Sequence, residues 1–200
     1  MKFCISILIA TFPFLMSLAQ ETSEQKDSKR RAFIDNFLST YEAAYENKEI
    51  EYIEYFFSDD ALIITETRKL KPTGSKETIP FTKKNRPFQT IVENRKTYLD
   101  RLRKIFDSNT SIKLSIAKKT YRQHAKYPEI YGVNFSQIWK DENGGNNLES
   151  QMPGFVFLMI DFKYSETTPI IHVRTWQPKE NIEKEQDKYF LRDFMIYETK

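Results

Sequence analysis

Cysteine, histidine and glycine are scarce in this sequence, which contains one Cys, two His and five Gly among 200 residues. Cys4 lies in an N-terminal apolar segment that we expect to be removed, so the mature chain would contain no thiol. A chain without thiols forms no disulfide and offers no thiolate nucleophile or thiolate metal ligand. Because only two histidines are present, we predict no metal site, and the sequence gives no sign of a cofactor.

The sequence motifs of several large enzyme classes are also absent. The chain contains no GxxxxGK(S/T), GxGxxG, HExxH or GxSxG pattern. These patterns mark phosphate-binding loops, dinucleotide-binding turns, catalytic zinc helices and nucleophilic serines. Their absence excludes a P-loop enzyme and a serine hydrolase of the usual kind.

The N-terminal segment MKFCISILIATFPFLMSLAQ has the composition of a signal peptide. Lys2 supplies a positive charge, residues 3–18 form an apolar run, and Ser17 with Ala19 gives the small-x-small pattern before a cleavage point. The run is shorter than the roughly 20 residues that span a bilayer, and no later segment is apolar enough. We therefore predict a signal peptide over residues 1–19 and an exported protein, periplasmic or extracellular, with an uncleaved anchor as the alternative.

Charge is distributed unevenly along the chain, although the formal net charge is only +3. Residues 67–126 carry 17 basic and 4 acidic side chains, and the segments on either side are acidic. A basic middle could attract an anionic ligand, an acidic partner or a phosphate-rich surface. It could equally be a solvated face balanced by the acidic first helix. Nucleic acid is not an expected partner, because an exported chain without a recognition motif gives no reason for one.

The spacing of apolar residues predicts three helices in the first half of the chain. Apolar side chains recur every three or four residues from about Ser28, in KEIEYIEYFF and in ENRKTYLDRLRKIF, as on one face of an amphipathic helix. Residues 20–27 are polar and are predicted to form a flexible N-terminus. Residues 68–92 hold three prolines and seven basic side chains, which predicts a long loop.

The other segments predict strands. The period changes in SDDALIITETR, where a turn at residues 58–60 leads into a strand at residues 61–67. Five runs after Asn109 alternate or are continuously apolar: SIKLSIAKKTYRQH, EIYGVNFSQIWK, GFVFLMIDFKY, PIIHVRTWQP and YFLRDFMIY. Helices followed by strands with short connections favour an α+β fold, in which the helices pack on one face of a curved antiparallel sheet.

The opening segment AFIDNFLSTYEAAYENKEIEYIEYFFSDDALII resembles that of nuclear transport factor 2-like (SnoaL-like) domains, in which two helices lead through an aspartate-containing turn into a strand. YGVNFSQIW, GFVFLMIDF and PIIHVRTWQP resemble the strands of exported bacterial members without an assigned function. The resemblance covers about residues 28–197. It implies one domain over residues 28–200, a cone-shaped sheet with three N-terminal helices on its concave face, ligands held in the cone, and dimers formed through the sheet. The superfamily contains enzymes, adaptors and non-catalytic binding domains, so the fold does not imply a function.

The strand PIIHVRTWQP carries the strongest candidate site residues. Alternation places His172, Arg174 and Trp176 on one face of this strand. If residues 165–168 form a four-residue loop, the hairpin pairs Asp161 with His172, Met159 with Arg174 and Phe157 with Trp176. A slip of one residue would move His172 to the other face.

Two uses of this face follow, and the sequence does not choose between them. In one, Asp161 orients His172 for acid–base chemistry and Tyr41 or Tyr45 stabilises an oxyanion, as in a cofactor-independent isomerase or dehydratase. An exposed ion pair between Asp161 and His172 is the simpler interpretation of the same residues. In the other, the face binds a ligand, forms half of a dimer interface, or only packs; the ligand-binding candidates are Tyr41, Tyr45, Gln137, Trp139, Arg174 and Trp176.

Our leading hypothesis is an exported, non-catalytic binding domain. It would form a homodimer and hold an unknown small molecule or peptide, an anionic one among the options, in the cone. The Asp–His–Tyr enzyme is the first alternative. The second is a protein-interaction module whose contact surface is the basic region 68–104.

Overall fold

A computed structural model describes residues 21–68, 88–142, 149 and 153–181. The predicted signal peptide, most of the predicted loop 68–92 and the predicted strand YFLRDFMIY lie outside these ranges. The described elements are α1 (Ser23–Glu46), α2 (Ile50–Tyr55), β1 (Phe57–Arg68), β2 (Phe88–Asn94), α3 (Arg95–Ser108), β3 (Ile112–Gln123), β4 (Ile130–Asp141), β5 (Pro153–Asp161) and β6 (Ile170–Pro178), followed by a 3-10 turn at Lys179–Asn181.

Helix α1 begins at Ser23, five residues before the predicted start. A capping box explains the difference. The Thr22 hydroxyl accepts a hydrogen bond from the Gln25 backbone N–H, and the Gln25 side chain accepts one from the Thr22 backbone N–H. These two bonds satisfy backbone groups that a helix end otherwise leaves to water. The prediction that residues 20–27 are flexible is therefore wrong from Thr22 onward.

The described strands form one curved, unclosed sheet in the order β2-β1-β6-β5-β4-β3, with the helices on one side. The predicted α+β fold class is confirmed. The pairing is mixed, however, because β1 and β6 are parallel while the other four pairs are antiparallel. Two strand boundaries also differ from prediction: β1 includes the expected turn at residues 58–60, and β2 lies where a loop was predicted. Strand β2 is an edge strand with no fully buried side chain, so its apolar pattern is weak.

The core fills the space between the helices and the concave face of the sheet. The apolar stripe predicted for α1 is buried from Ile34 to Tyr45, and α3 contributes Tyr98, Leu102 and Ile105. The inward alternation predicted for β4 is confirmed, since each of its five members is at most 2% exposed: Tyr131, Val133, Phe135, Gln137 and Trp139. No helix within the described ranges is both long and apolar enough to cross a membrane.

The hairpin of β5 and β6 has a different register from the predicted one. Its connection covers residues 162–169 instead of four residues, and the observed partners are Ile170 for Asp161, Leu158 for Arg174 and Val156 for Trp176. The register shifts where Ile160 pairs with Ile171 and Met159 with Val173, so His172 is an extra residue in a β-bulge. A bulge resets the alternation of the strand. Arg174 and Trp176 therefore share the core face with Ile171, and the predicted common face with His172 is wrong.

Candidate functional site

Six polar side chains meet in the core between α1, α3 and the sheet. We call them the interior polar cluster; its members are Tyr41, Tyr45, Tyr98, Gln137, Glu149 and Arg174. Five of them are fully buried or nearly so on helices and strands, and Glu149, from the connection between β4 and β5, is 1% exposed. Such a cluster is unusual in a core, because polar groups without water must find partners among themselves.

Arg174 is the centre of the interior polar cluster and is 0% exposed. Its two terminal nitrogens donate to the two oxygens of Glu149 at 2.8 and 2.7 Å. Its Nε donates to the Tyr41 hydroxyl at 3.0 Å, and Gln137 Nε2 donates to Glu149 at 2.8 Å. The guanidinium thus forms a bidentate salt bridge with one carboxylate, which is the strongest geometry available to this pair.

The cluster keeps Arg174 charged. Burial by itself lowers the pKa of the guanidinium, but the nearby Glu149 carboxylate opposes burial and the pKa lies well above its usual value. Burial also raises the pKa of the Tyr45 and Tyr98 hydroxyls far above the ordinary value. These two hydroxyls lie 2.7 Å apart and share one hydrogen bond. At neutral pH the Tyr45 and Tyr98 hydroxyls are therefore neutral beside a charged guanidinium, and neither provides a phenolate that could act as a base.

Four buried polar atoms on the concave face have no hydrogen-bond partner in the part of the chain that the structure describes. They are Thr65 Oγ1, Gln137 Oε1, Trp139 Nε1 and Trp176 Nε1. Thr65 pairs with Trp176 across β1 and β6, and Trp176 is two residues from Arg174 on the same face of β6. Trp139 is likewise two residues from Gln137 on β4. Neighbours two apart on a strand are separated by roughly 7 Å, so these atoms border the interior polar cluster.

Gly154 leaves the space that the Trp176 indole occupies. An added Cβ at this glycine would lie 2.6 Å from the Gln177 carbonyl oxygen and 2.6 Å from atoms Cε2 and Nε1 of Trp176. Gly154 is also the β5 partner of Gln137 on β4. The indole atoms Cε2 and Nε1 therefore lie directly over the glycine, in the space that a side chain would fill.

All six predicted ligand-binding residues come together in this region. Tyr41, Tyr45, Gln137, Trp139, Arg174 and Trp176 are each 2% exposed or less. They contact one another as well as the core; the Tyr45 and Trp139 rings, for example, meet edge to face at 5.5 Å. The six predicted residues therefore form one buried group on the concave side of the sheet.

The weak catalytic candidates do not assemble into one site. His172 Nε2 lies 3.1 Å from an oxygen of Asp161, so the predicted contact exists. However, the His172 side chain is 28% exposed in its bulge. Tyr41 instead bonds to Arg174. Among the described residues, no group of three His, Cys, Asp or Glu side chains could hold a metal ion.

A separate surface depression of about 450 Å³ lies at the N-terminal end of α1. On its wall, Arg30 donates through Nε and one terminal nitrogen to both oxygens of Glu166, at 2.8 and 2.7 Å, and through the other to the Pro128 carbonyl. Arg30 is buried, while the Glu166 side chain is 49% exposed. Hydrogen bonds from Arg30 lower the pKa of Glu166 from 4.5 to about 2.

We expect Glu166→Gln to reduce the acid dependence of stability. Because the folded-state pKa lies below the unfolded value, the pair stabilises the fold above about pH 4.5, and this contribution disappears as the pH falls toward 2. The substitution should lower the free energy of unfolding at pH 7 by no more than about 1 kcal/mol, since the carboxylate is half exposed. Urea unfolding at a series of pH values measures this. Glu21→Gln, in the same depression, is the control, and a Glu166→Gln curve parallel to wild type down to pH 2 would contradict the expectation.

Two members of the interior polar cluster were not predicted as site residues. Glu149 lies in DENGGNNLES, whose Asn and Gly content indicated only a turn. Tyr98 was assigned to the buried stripe of α3, which is correct, but nothing in a stripe indicates that its hydroxyl meets Tyr45. Only the contacts between distant segments could have identified either residue.

Several solved structures have a similar fold. Bd1075 from Bdellovibrio bacteriovorus superposes with a TM-score of 0.53 at 16% identity, over 82% of this chain and 44% of that one. An NTF2-like protein from Cytophaga hutchinsonii gives 0.51 at 11% identity, over 74% and 97%. A chain of naphthalene 1,2-dioxygenase gives 0.53 at 9% identity, over 84% and 85%.

Neither protein-family models nor curated proteins match the sequence. Identities this low support the architecture and leave the activity open. Helix order, the curved unclosed sheet and the solved relatives agree with one another. The chain has the α+β cone fold of the NTF2-like proteins.

Proposed function

We propose that this chain is an exported binding domain that holds a small ligand inside the cone, against the interior polar cluster and both tryptophans. The observation that supports this proposal is the set of four buried polar atoms that lack partners among the described residues: Thr65 Oγ1, Gln137 Oε1, Trp139 Nε1 and Trp176 Nε1. A buried donor or acceptor without a partner costs about 1–3 kcal/mol. A ligand that supplied the missing partners would offset that cost, and its binding would be favoured by the same amount.

The four unpartnered atoms indicate which hydrogen-bonding groups a ligand would have to carry. Two indole N–H groups require acceptors, and the Gln137 amide oxygen requires a donor. The surrounding side chains are mostly aromatic and flat, including Tyr45 and Trp139. A compact ligand with a planar apolar body and oxygen atoms at its edge fits these requirements.

Homodimerisation through the outer face of the sheet is part of the same proposal. On that face Leu62 is 41% and Val92 is 61% exposed, on the neighbouring strands β1 and β2. Apolar side chains exposed side by side on a sheet often belong to an interface. The basic region 68–104, considered above as a contact surface, includes residues 69–87, which lie outside the described ranges.

The test uses the fact that the chain contains only two tryptophans, both in the proposed site. A ¹⁵N–¹H spectrum of the mature chain should therefore show two indole signals, which Trp139→Phe and Trp176→Phe would assign. We expect native mass spectrometry of protein purified from its own host to show a dimer carrying a reproducible added mass. Removing that ligand should shift both indole signals, and returning it should restore them.

Two outcomes would contradict the proposal. One is a clean mass together with indole signals that no extract of the host shifts. The other is an adduct whose removal leaves both indole signals unchanged, which would place the ligand elsewhere. A monomer with a bound ligand would contradict only the dimer.

A further inference from the structure

We propose that the Glu149 carboxylate occupies the position of a ligand carboxylate, and that the ligand is a small carboxylic acid which displaces Glu149 from Arg174. This inference rests on the proposed binding function and deepens it by naming the ligand class and the group that competes with it. The unusual feature is that the most buried cation of the described chain is bound by a side chain from a connection, not from a helix or strand.

The geometry at Arg174 is that of a carboxylate-binding site. Both terminal nitrogens donate to the two oxygens of one carboxylate, and the third nitrogen is held by Tyr41 at 3.0 Å. Tyr41, on α1, thereby fixes the plane of the guanidinium, so its fork faces one direction. Gln137 adds a further donor to the same carboxylate. A planar fork with fixed orientation recognises any carboxylate in that position, whether it belongs to the chain or to a ligand.

The rest of the site is not satisfied by Glu149. Below its carboxylate this residue has only methylene groups, which offer nothing to the indole N–H groups of Trp139 and Trp176. A carboxylic acid with a planar body and a hydroxyl or keto oxygen could bind Arg174 and also supply an acceptor to an indole. Glu149 therefore completes one part of the site and leaves the other part for a ligand.

The experiment compares wild type with Glu149→Ala and Glu149→Gln, with acetate and 4-hydroxybenzoate as probes. Acetate is expected to raise the Tm of Glu149→Ala by about 5 °C at saturation and to change that of wild type much less. 4-Hydroxybenzoate should bind both variants at least about tenfold more tightly than wild type, and it should shift at least one indole signal. Acetamide and 4-hydroxybenzamide, which lack the charge, should have neither effect.

A matched control removes the cation. In Arg174→Met combined with Glu149→Ala, acetate should no longer raise the Tm, because the carboxylate has lost its partner. If acetate stabilises this double variant equally, the effect is a general salt effect and the inference is wrong.

Three results would overturn the inference. Folded Glu149→Ala and Glu149→Gln could bind the probes no more tightly than wild type. Both variants could fail to fold even in high acetate, which would make Glu149 an irreplaceable structural residue. The natural ligand could prove to carry no carboxylate. Failure of the proposed function looks different: wild type would then show no ligand and no indole shift, whatever the Glu149 variants do.

Discussion

Arg174→Met is expected to lower the free energy of unfolding by about 3–5 kcal/mol, the range found when one partner of a buried ion pair is removed. Arg174 is 0% and Glu149 is 1% exposed, so water cannot reach the carboxylate that remains. Tyr41 loses its partner at the same time. Urea unfolding followed by tryptophan fluorescence measures the change directly, because both fluorophores border the site.

A double variant distinguishes the cost of leaving one buried charge unpaired from the net stabilisation that the ion pair provides. Arg174→Met combined with Glu149→Leu should recover most of the loss, since an apolar pair of similar volume avoids burying a lone charge. Arg174→Lys keeps the charge but not the fork, and should lie between wild type and Arg174→Met. A loss below about 1 kcal/mol for Arg174→Met would match an exposed pair and would contradict the burial of this one.

Gly154→Ala is expected to destabilise the fold by about 1–3 kcal/mol, as overpacking of a core does. The new methyl group would lie 2.6 Å from the Gln177 carbonyl oxygen and equally close to the Trp176 indole. The backbone oxygen is held in the β5–β6 ladder, so the indole and the strand spacing must both change. The Trp176 indole signal and the urea midpoint report these two consequences separately.

Introducing Gly154→Ala into a Trp176→Phe background separates the energetic contributions of the two clashes at Gly154. A phenyl ring lacks the indole atoms nearest the new methyl group, so Gly154→Ala should cost less in this background than in wild type. The clash with the Gln177 carbonyl stays in both. Equal costs in the two backgrounds would mean that the indole does not lie over Gly154.

Features that depend on local periodicity could be predicted from the sequence. The apolar stripe of α1, the helix α3 and the inward alternation of β4 all follow from side chains within one segment. The fold class follows from the order of those segments. Residues near an end or an edge were less predictable: the capping box at Thr22 was present in the sequence but outweighed by its polar surroundings, and β2 lacked a buried face.

The candidate site depended on contacts that no segment contains. Arg174 was identified from its strand, but its partners are Tyr41, 133 residues away, and Glu149 in a turn. The bulge at His172 separated it from Arg174 and Trp176, because two neighbouring strands, β1 and β5, each shift register against β6. Sequence alone therefore determined the inward faces of α1, α3 and β4 and the chemistry of the side chains on β6. Only the tertiary structure decided which of them meet, since hydrogen bonds in a core depend on distances between strands and helices that local pattern does not fix.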